Sequence, residues 1–165
     1  SNHIKPYGYF GEQLFAVMEE KLTNNLELIP NALELLEQCK DANIKVALVT
    51  ASSRRLMQAA LKWFPEATFL AAVSRDDVEV TKPDPAPYLL AAKLMGVDIK
   101  NCLVFEDSIT GAQSGLRSGA QVIGIPHLIQ MPDDPNLRVV KSLSDIDLAK
   151  LLDWYPFLDT QVSAK

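Results

Sequence analysis

The sequence predicts a single α/β domain built on a parallel sheet with helices on both faces, and three observations lead there. Apolar runs at 44–49, 69–73, 102–105 and 121–125 alternate with segments whose apolar residues recur at helical spacing, the pattern of strands covered on both faces and joined by helical crossovers. The stretch 102–126, CLVFEDSITGAQSGLRSGAQVIGIP, reads as a strand, an acidic tip, a helix capped by Ser108 and stopped by Gly119, and a second strand. Polar residues gather where strands end, and beyond the carboxyl ends of its strands is where a parallel sheet binds ligands.

Residues 1–10 show no pattern. Leu14, Val17, Met18 and Leu22 predict an amphipathic helix over 11–23. After Pro30, Asn31 and Glu34 resemble a capping box, and Ala32, Leu35, Leu36 and Cys39 give the buried stripe of a helix ending near Asp41. The strand 44–49 runs into Thr50, Ala51, Ser52, Ser53, Arg54 and Arg55, followed by a helix marked by Met57, Ala60, Leu61 and Phe64. The strand 69–73 leads into the polar loop SRDDVEVTKPDP, and Asp84 with Pro85 starts a helix that Gly96 stops after Met95. Residues 126–139, with three prolines, are expected to be a loop, and 144–152 a last short helix in which Asp145 and Asp147 form a solvated start.

With 165 residues, 48% hydrophobic and 22% charged, the chain can bury one ordinary globular core. A formal charge of -5 without a Lys/Arg cluster argues against nucleic acid as the main partner. There is no apolar run long enough to span a membrane and no export signal at the start, so no membrane partner and a cytoplasmic location are expected. Cys39 and Cys102 are expected to be buried thiols in a reducing compartment.

Each polar tip admits two readings when taken alone. Thr50, Ser52 and Ser53 before a helix could bind an anion on free N–H groups, or simply cap the helix. Lys82, in its loop, could be a site cation or a solvated charge. Glu106 and Asp107 repel each other side by side, which a hard cation such as magnesium would relieve, or they form an acidic turn that favours the following helix.

Taken together and in order, VALVTASS, TKPDPAPYLLAAKLMGV and CLVFEDSITGAQSGLRSGA resemble the second, third and fourth motifs of the haloacid dehalogenase (HAD) superfamily, in its branch of small capped phosphatases and phosphomutases. The match runs from Leu28 to about Leu152. The resemblance implies a HAD-like, Rossmann-like core over 28–154, with 1–27 as the end of a helical cap and its connector, and 155–165 as a tail. It implies a Mg2+-dependent phosphatase that hydrolyses a small phosphorylated metabolite, most simply a sugar phosphate, through an aspartyl-phosphate. Thr50 would hydrogen-bond the phosphoryl group and Lys82 would offset its charge. Asp107 would bind magnesium, and Glu106 would ligate it or orient its water shell. Ser52 and Arg54 are further candidates for the phosphate. Ala51 departs from the asparagine often found at that place in the family.

The family's first motif, Asp-x-Asp-Gly-Thr, which supplies the nucleophile and the general acid/base, has no counterpart in these 165 residues. The first strand and most of the cap are therefore expected to be absent. In the family that strand lies between the one ending at Thr50 and the one ending at Glu106, so a gap is expected there, filled by self-association or by a complementing N-terminal segment. The chain alone is expected to be inactive, with Thr50, Lys82 and Asp107 converging on one cleft. Alternatives are a phosphomutase, a receiver domain, which would put the acidic pocket upstream, and a non-catalytic interaction module.

Overall fold

The computed structural model describes residues 31–126 and 129–159. The helix expected over 11–23 and the segment 1–27 lie outside the described residues. Within them the order is α1 (Ala32–Asp41), β1 (Ala47–Val49), α2 (Arg54–Leu61), β2 (Ala71–Val73), α3 (Ala86–Met95), β3 (Leu103–Glu106), α4 (Ile109–Ser118), β4 (Gln121–Gly124), β5 (Leu137–Val139) and α5 (Leu148–Trp154). No helix among the described residues is long and apolar enough to cross a membrane.

The local signals set most helix ends. Ser108 caps α4 by accepting from Gly111 N at 3.0 Å, and Gly119 ends it with φ 95. Gly96 ends α3 with φ 65. Only glycine takes these left-handed values without steric cost. Asn31 departs from the capping-box expectation: it is itself left-handed (φ 70), and its amide donates to Leu143 O (3.1 Å) and Ile146 O (2.8 Å), tying the start of α1 to the C-terminal segment. Asp147 caps α5 through Lys150 N at 2.8 Å, so the last helix starts later than expected. β5 lies inside the region expected to be loop. Its pairing with β4 positions it, with Val122 N donating to Asn136 O and Val140 N to Gly124 O.

All strand pairs are parallel, and they form two sheets, β1–β2 and β3–β4–β5. Side chains alternate across β4. Val122 joins Val104, Ala112 of α4 and Tyr88 of α3 on one face, while Ile123 joins Leu35 of α1 and Leu151 of α5 on the other. α3 packs on β1 and β2 and also on α4, which covers β3 and β4, so the two sheets are held side by side.

Between them runs a slot of about 590 Å³. β1 forms one edge and β3 the other, with Tyr88, Ala91 and Ala92 on one face and Leu35, Cys39 and Leu151 on the opposite face. Val46 O and Thr50 N are taken on the β2 side by Leu70 N and Val73 O, and Cys102 O and Glu106 O on the β4 side by Gln121 N and Ile125 N. Backbone alternation therefore turns Ala47, Val49, Leu103 and Phe105 toward the slot. The sheet is divided where the resemblance placed a further strand. β1, whose apolar sequence suits full cover, is only half-buried along its length, and Phe105 is 37% exposed. Cys39 and Cys102 are free and line the slot, and they are half-buried where buried thiols are expected.

Candidate active site at the strand tips

Thr50, Lys82, Glu106 and Asp107 meet at the carboxyl end of the slot, although the chain brings them from three separate connections. Thr50 directly follows β1. Its Oγ1 accepts from Ser52 N at 3.1 Å, which leaves the hydroxyl hydrogen free to donate elsewhere. Lys82 enters from the loop before α3. Its Nζ donates to Glu106 Oε1 and to Val49 O at 3.3 Å, and lies 4.9 Å from the centre of the Tyr88 ring. Glu106 ends β3 with its side chain turned inward. The ion pair is closely enclosed, with the Lys82 and Glu106 side chains 9% and 7% exposed.

Glu106 Oε1 also accepts from Tyr88 Oη, and Ser108 Oγ donates to Oε2 at 3.3 Å. The carboxylate lies against Gly111 in the first turn of α4, in the space that any Cβ there would occupy. The helix N-terminus favours negative charge at that place. Burial, and then Glu106, push the Tyr88 phenol far above its ordinary range, so it stays a neutral donor. Asp107, one residue further, is exposed at the mouth. Among the described residues no three His, Cys, Asp or Glu side chains form a metal-binding group.

Ser52 and Arg54 do not line the slot. Ser52 O accepts from Arg75 N at 2.9 Å. Arg54 pairs with Asp77 at 2.5 Å, and its N–H donates to Asp76 Oδ2 at 2.8 Å, so it ties α2 to the short turn Arg75–Asp77. Asp77 also accepts from the hydroxyl and N–H of the buried Ser74, and these bonds, then Arg54, draw its carboxyl down from 3.8 to about 2. A depressed folded value stabilises the fold above the unfolded value, and that contribution is lost as pH falls through the folded one. Thermal unfolding followed between pH 5 and pH 2 should therefore show a loss near pH 4 to 2 that is smaller in Asp77→Asn. Equal losses in the two proteins would exclude this carboxylate as the cause.

The family model described as haloacid dehalogenase-like hydrolase matches residues 7–119. The chain belongs to this family. Hexitol phosphatase A of Escherichia coli is 32% identical over 137 residues, covering 81% of this chain and 62% of that protein. The bifunctional riboflavin kinase/FMN phosphatase of Arabidopsis thaliana is also 32% identical, over 145 residues, covering 83% of this chain and 36% of that one. Among solved structures, CbbY of Rhodobacter sphaeroides in complex with phosphate superposes with a TM-score of 0.76 at 23% identity, over 92% of this chain and 71% of that one, a likeness of fold. The chain spans from about a third to two thirds of the length of the first curated relatives it matches.

Reading this haloacid dehalogenase-like sequence alone misses Tyr88, Ser108 as a partner of Glu106, and Gly111. A signal for Gly111 was available, because glycine inside a helix costs about 1 kcal/mol relative to alanine and often marks a close approach. For Tyr88 the local sequence carries no such sign. It lies on the buried side of α3, and only packing shows what its hydroxyl reaches.

Proposed function

We propose that this chain forms the phosphate- and metal-facing side of a phosphohydrolase acting on a small phosphorylated metabolite, with a sugar phosphate as the simplest substrate. The observation that carries this reading is the convergence of Thr50, Lys82 and Asp107 on one slot mouth at a parallel sheet's carboxyl edge. Phosphoryl transfer is catalysed mainly by positioning and by charge offset on the equatorial oxygens, which hydroxyl and ammonium donors at fixed places supply.

The charges of Lys82, Glu106 and Asp107 leave the mouth with one net negative charge, so a bare phosphate is not favoured until a cation binds. Glu106 is committed to Lys82, Tyr88 and Ser108, whereas Asp107 is exposed and takes part in no hydrogen bond or ion pair among the described residues. That donor set fits magnesium, which keeps several waters and needs only one or two carboxylates besides the phosphate. When bound, the ion would neutralise charge developing on the phosphate oxygens. In this reading Asp107 anchors it, Thr50 donates to a phosphate oxygen, and Lys82, held by Glu106, presents positive charge beside both. A cytoplasmic setting fits the two free cysteines.

The partner this reading requires is a parallel strand in the slot, apolar on both faces and carrying a carboxylate at its carboxyl end. Both slot faces are apolar, and each edge offers backbone groups to a strand. We assign this role to a complementing N-terminal segment in preference to a second copy, because one strand would complete both edges and bring its tip beside Thr50 and Asp107.

Magnesium titration calorimetry on the 165-residue chain tests the metal assignment. Asp107→Asn should weaken binding about tenfold or more, as expected on removing a charged ligand from a hard-cation site, with the fold unchanged by circular dichroism. The same affinity in both proteins would remove Asp107 from the metal site.

A further inference from the structure

We propose that Tyr88 is a positioning residue: its hydroxyl fixes the Glu106 carboxylate and its ring seats the Lys82 ammonium, so that the charge presented at the slot mouth has one defined place. The catalytic meaning of this rests on the phosphohydrolase reading, but the geometry does not. A lysine has a long flexible stem and a compact charge, and it stays in one place only where its surroundings hold it. Here the surroundings are Glu106 Oε1, Val49 O and the face of the Tyr88 ring. An ion pair this enclosed needs further hydrogen bonds to offset its desolvation. Glu106 receives them from Tyr88 Oη on the oxygen that Lys82 also uses, and from Ser108 Oγ on the other.

One side chain thus touches both members of the pair, cation to ring and hydroxyl to carboxylate. Phenylalanine at 88 would keep the packing and the ring but leave Glu106 Oε1 with one donor fewer. The carboxylate could then turn toward Ser108 or the mouth, and the ammonium would follow it. No other side chain among the described residues contacts both Lys82 and Glu106 in this way.

The test follows the Lys82 ammonium by NMR in the 15N-lysine-labelled 165-residue chain, with the signal assigned by its loss in Lys82→Arg. In the parent it should lie upfield, under the Tyr88 ring, and exchange slowly with water. In Tyr88→Phe the ring shift should shrink as the ammonium leaves its place with the carboxylate, and exchange should quicken on the order of tenfold, the equivalent of one hydrogen bond to a charged group. In Tyr88→Leu both features should go. Backbone amide spectra show whether each variant keeps its fold. An ammonium signal in a folded Tyr88→Phe that matches the parent would overturn the proposal. Should Tyr88→Phe not fold, the parent decides: a slowly exchanging tyrosine hydroxyl proton with a contact to Glu106 supports the proposal, and its absence overturns it. None of these readings depends on turnover, so they stand apart from any failure of the phosphohydrolase reading. In a slot-filled, active form, Tyr88→Phe should lower kcat while leaving KM within about threefold, because positioning of charge acts on the transition state.

Discussion

Purified as the 165-residue chain, the protein is expected to show no saturable hydrolysis of sugar phosphates or of an aryl phosphate. Covalent phosphoryl transfer needs a carboxylate free to attack phosphorus and a second acid/base group at the leaving oxygen. At the slot mouth Glu106 has both oxygens engaged, and Asp107 is the metal anchor in the proposed reading. Among the described residues Thr50 has no base as a hydrogen-bond partner; its hydroxyl oxygen accepts from Ser52 N. Removing a covalent nucleophile costs on the order of 10⁴ or more in rate. Supplying the first-motif strand of a family member, fused ahead of the chain or added as a separate fragment, should recover magnesium-dependent turnover by a factor of that size. Slot filling can be followed without turnover, because Cys39 and Cys102 both line the slot and should become protected from a thiol reagent. Robust turnover by the chain alone, abolished in Asp107→Ala, would mean that the nucleophile lies elsewhere in these residues.

Lys82→Met is expected to be among the most destabilising single substitutions in the described core. It leaves the Glu106 carboxylate, 7% exposed, with no countercharge. Breaking a buried pair from one side costs about 3–5 kcal/mol, whereas losing an exposed pair costs about 0–1 kcal/mol. Glu106→Gln should be destabilising for the same reason, with Lys82 left unpaired beside Val49 O and the Tyr88 ring. The double variant Lys82→Met with Glu106→Gln should regain most of the loss, because no charge is then stranded. Urea unfolding of the four proteins measures this cycle. Single variants within about 1 kcal/mol of the parent would show that water reaches the pair and that its enclosure contributes little.

These outcomes separate what short-range chemistry determines from what packing decides. The α/β class was legible in the alternation of apolar runs with helically spaced segments, and the helix stops at Gly96 and Gly119 and the cap at Ser108 in a few consecutive residues each. Also legible were the places of Thr50, Glu106 and Asp107 beside the ends of apolar runs, and of Lys82 in the polar loop that follows the run 69–73. Strand edges were less legible. The run 44–49 shortens to Ala47–Val49, and β5 emerges from a stretch read as loop, because pairing with a neighbouring strand sets where a strand counts as one. The resemblance makes Arg54 a phosphate candidate, but its charge goes to Asp77, 23 residues on. The division of roles within the acidic pair also needed the tertiary structure. Glu106, the last residue of β3, is buried against Lys82, Tyr88 and Gly111, while Asp107, just past the strand, is exposed at the mouth. Lys82 and Tyr88 lie 24 and 18 residues from Glu106 along the chain, and only the packing of α3 against β1, β2 and α4 brings all three together.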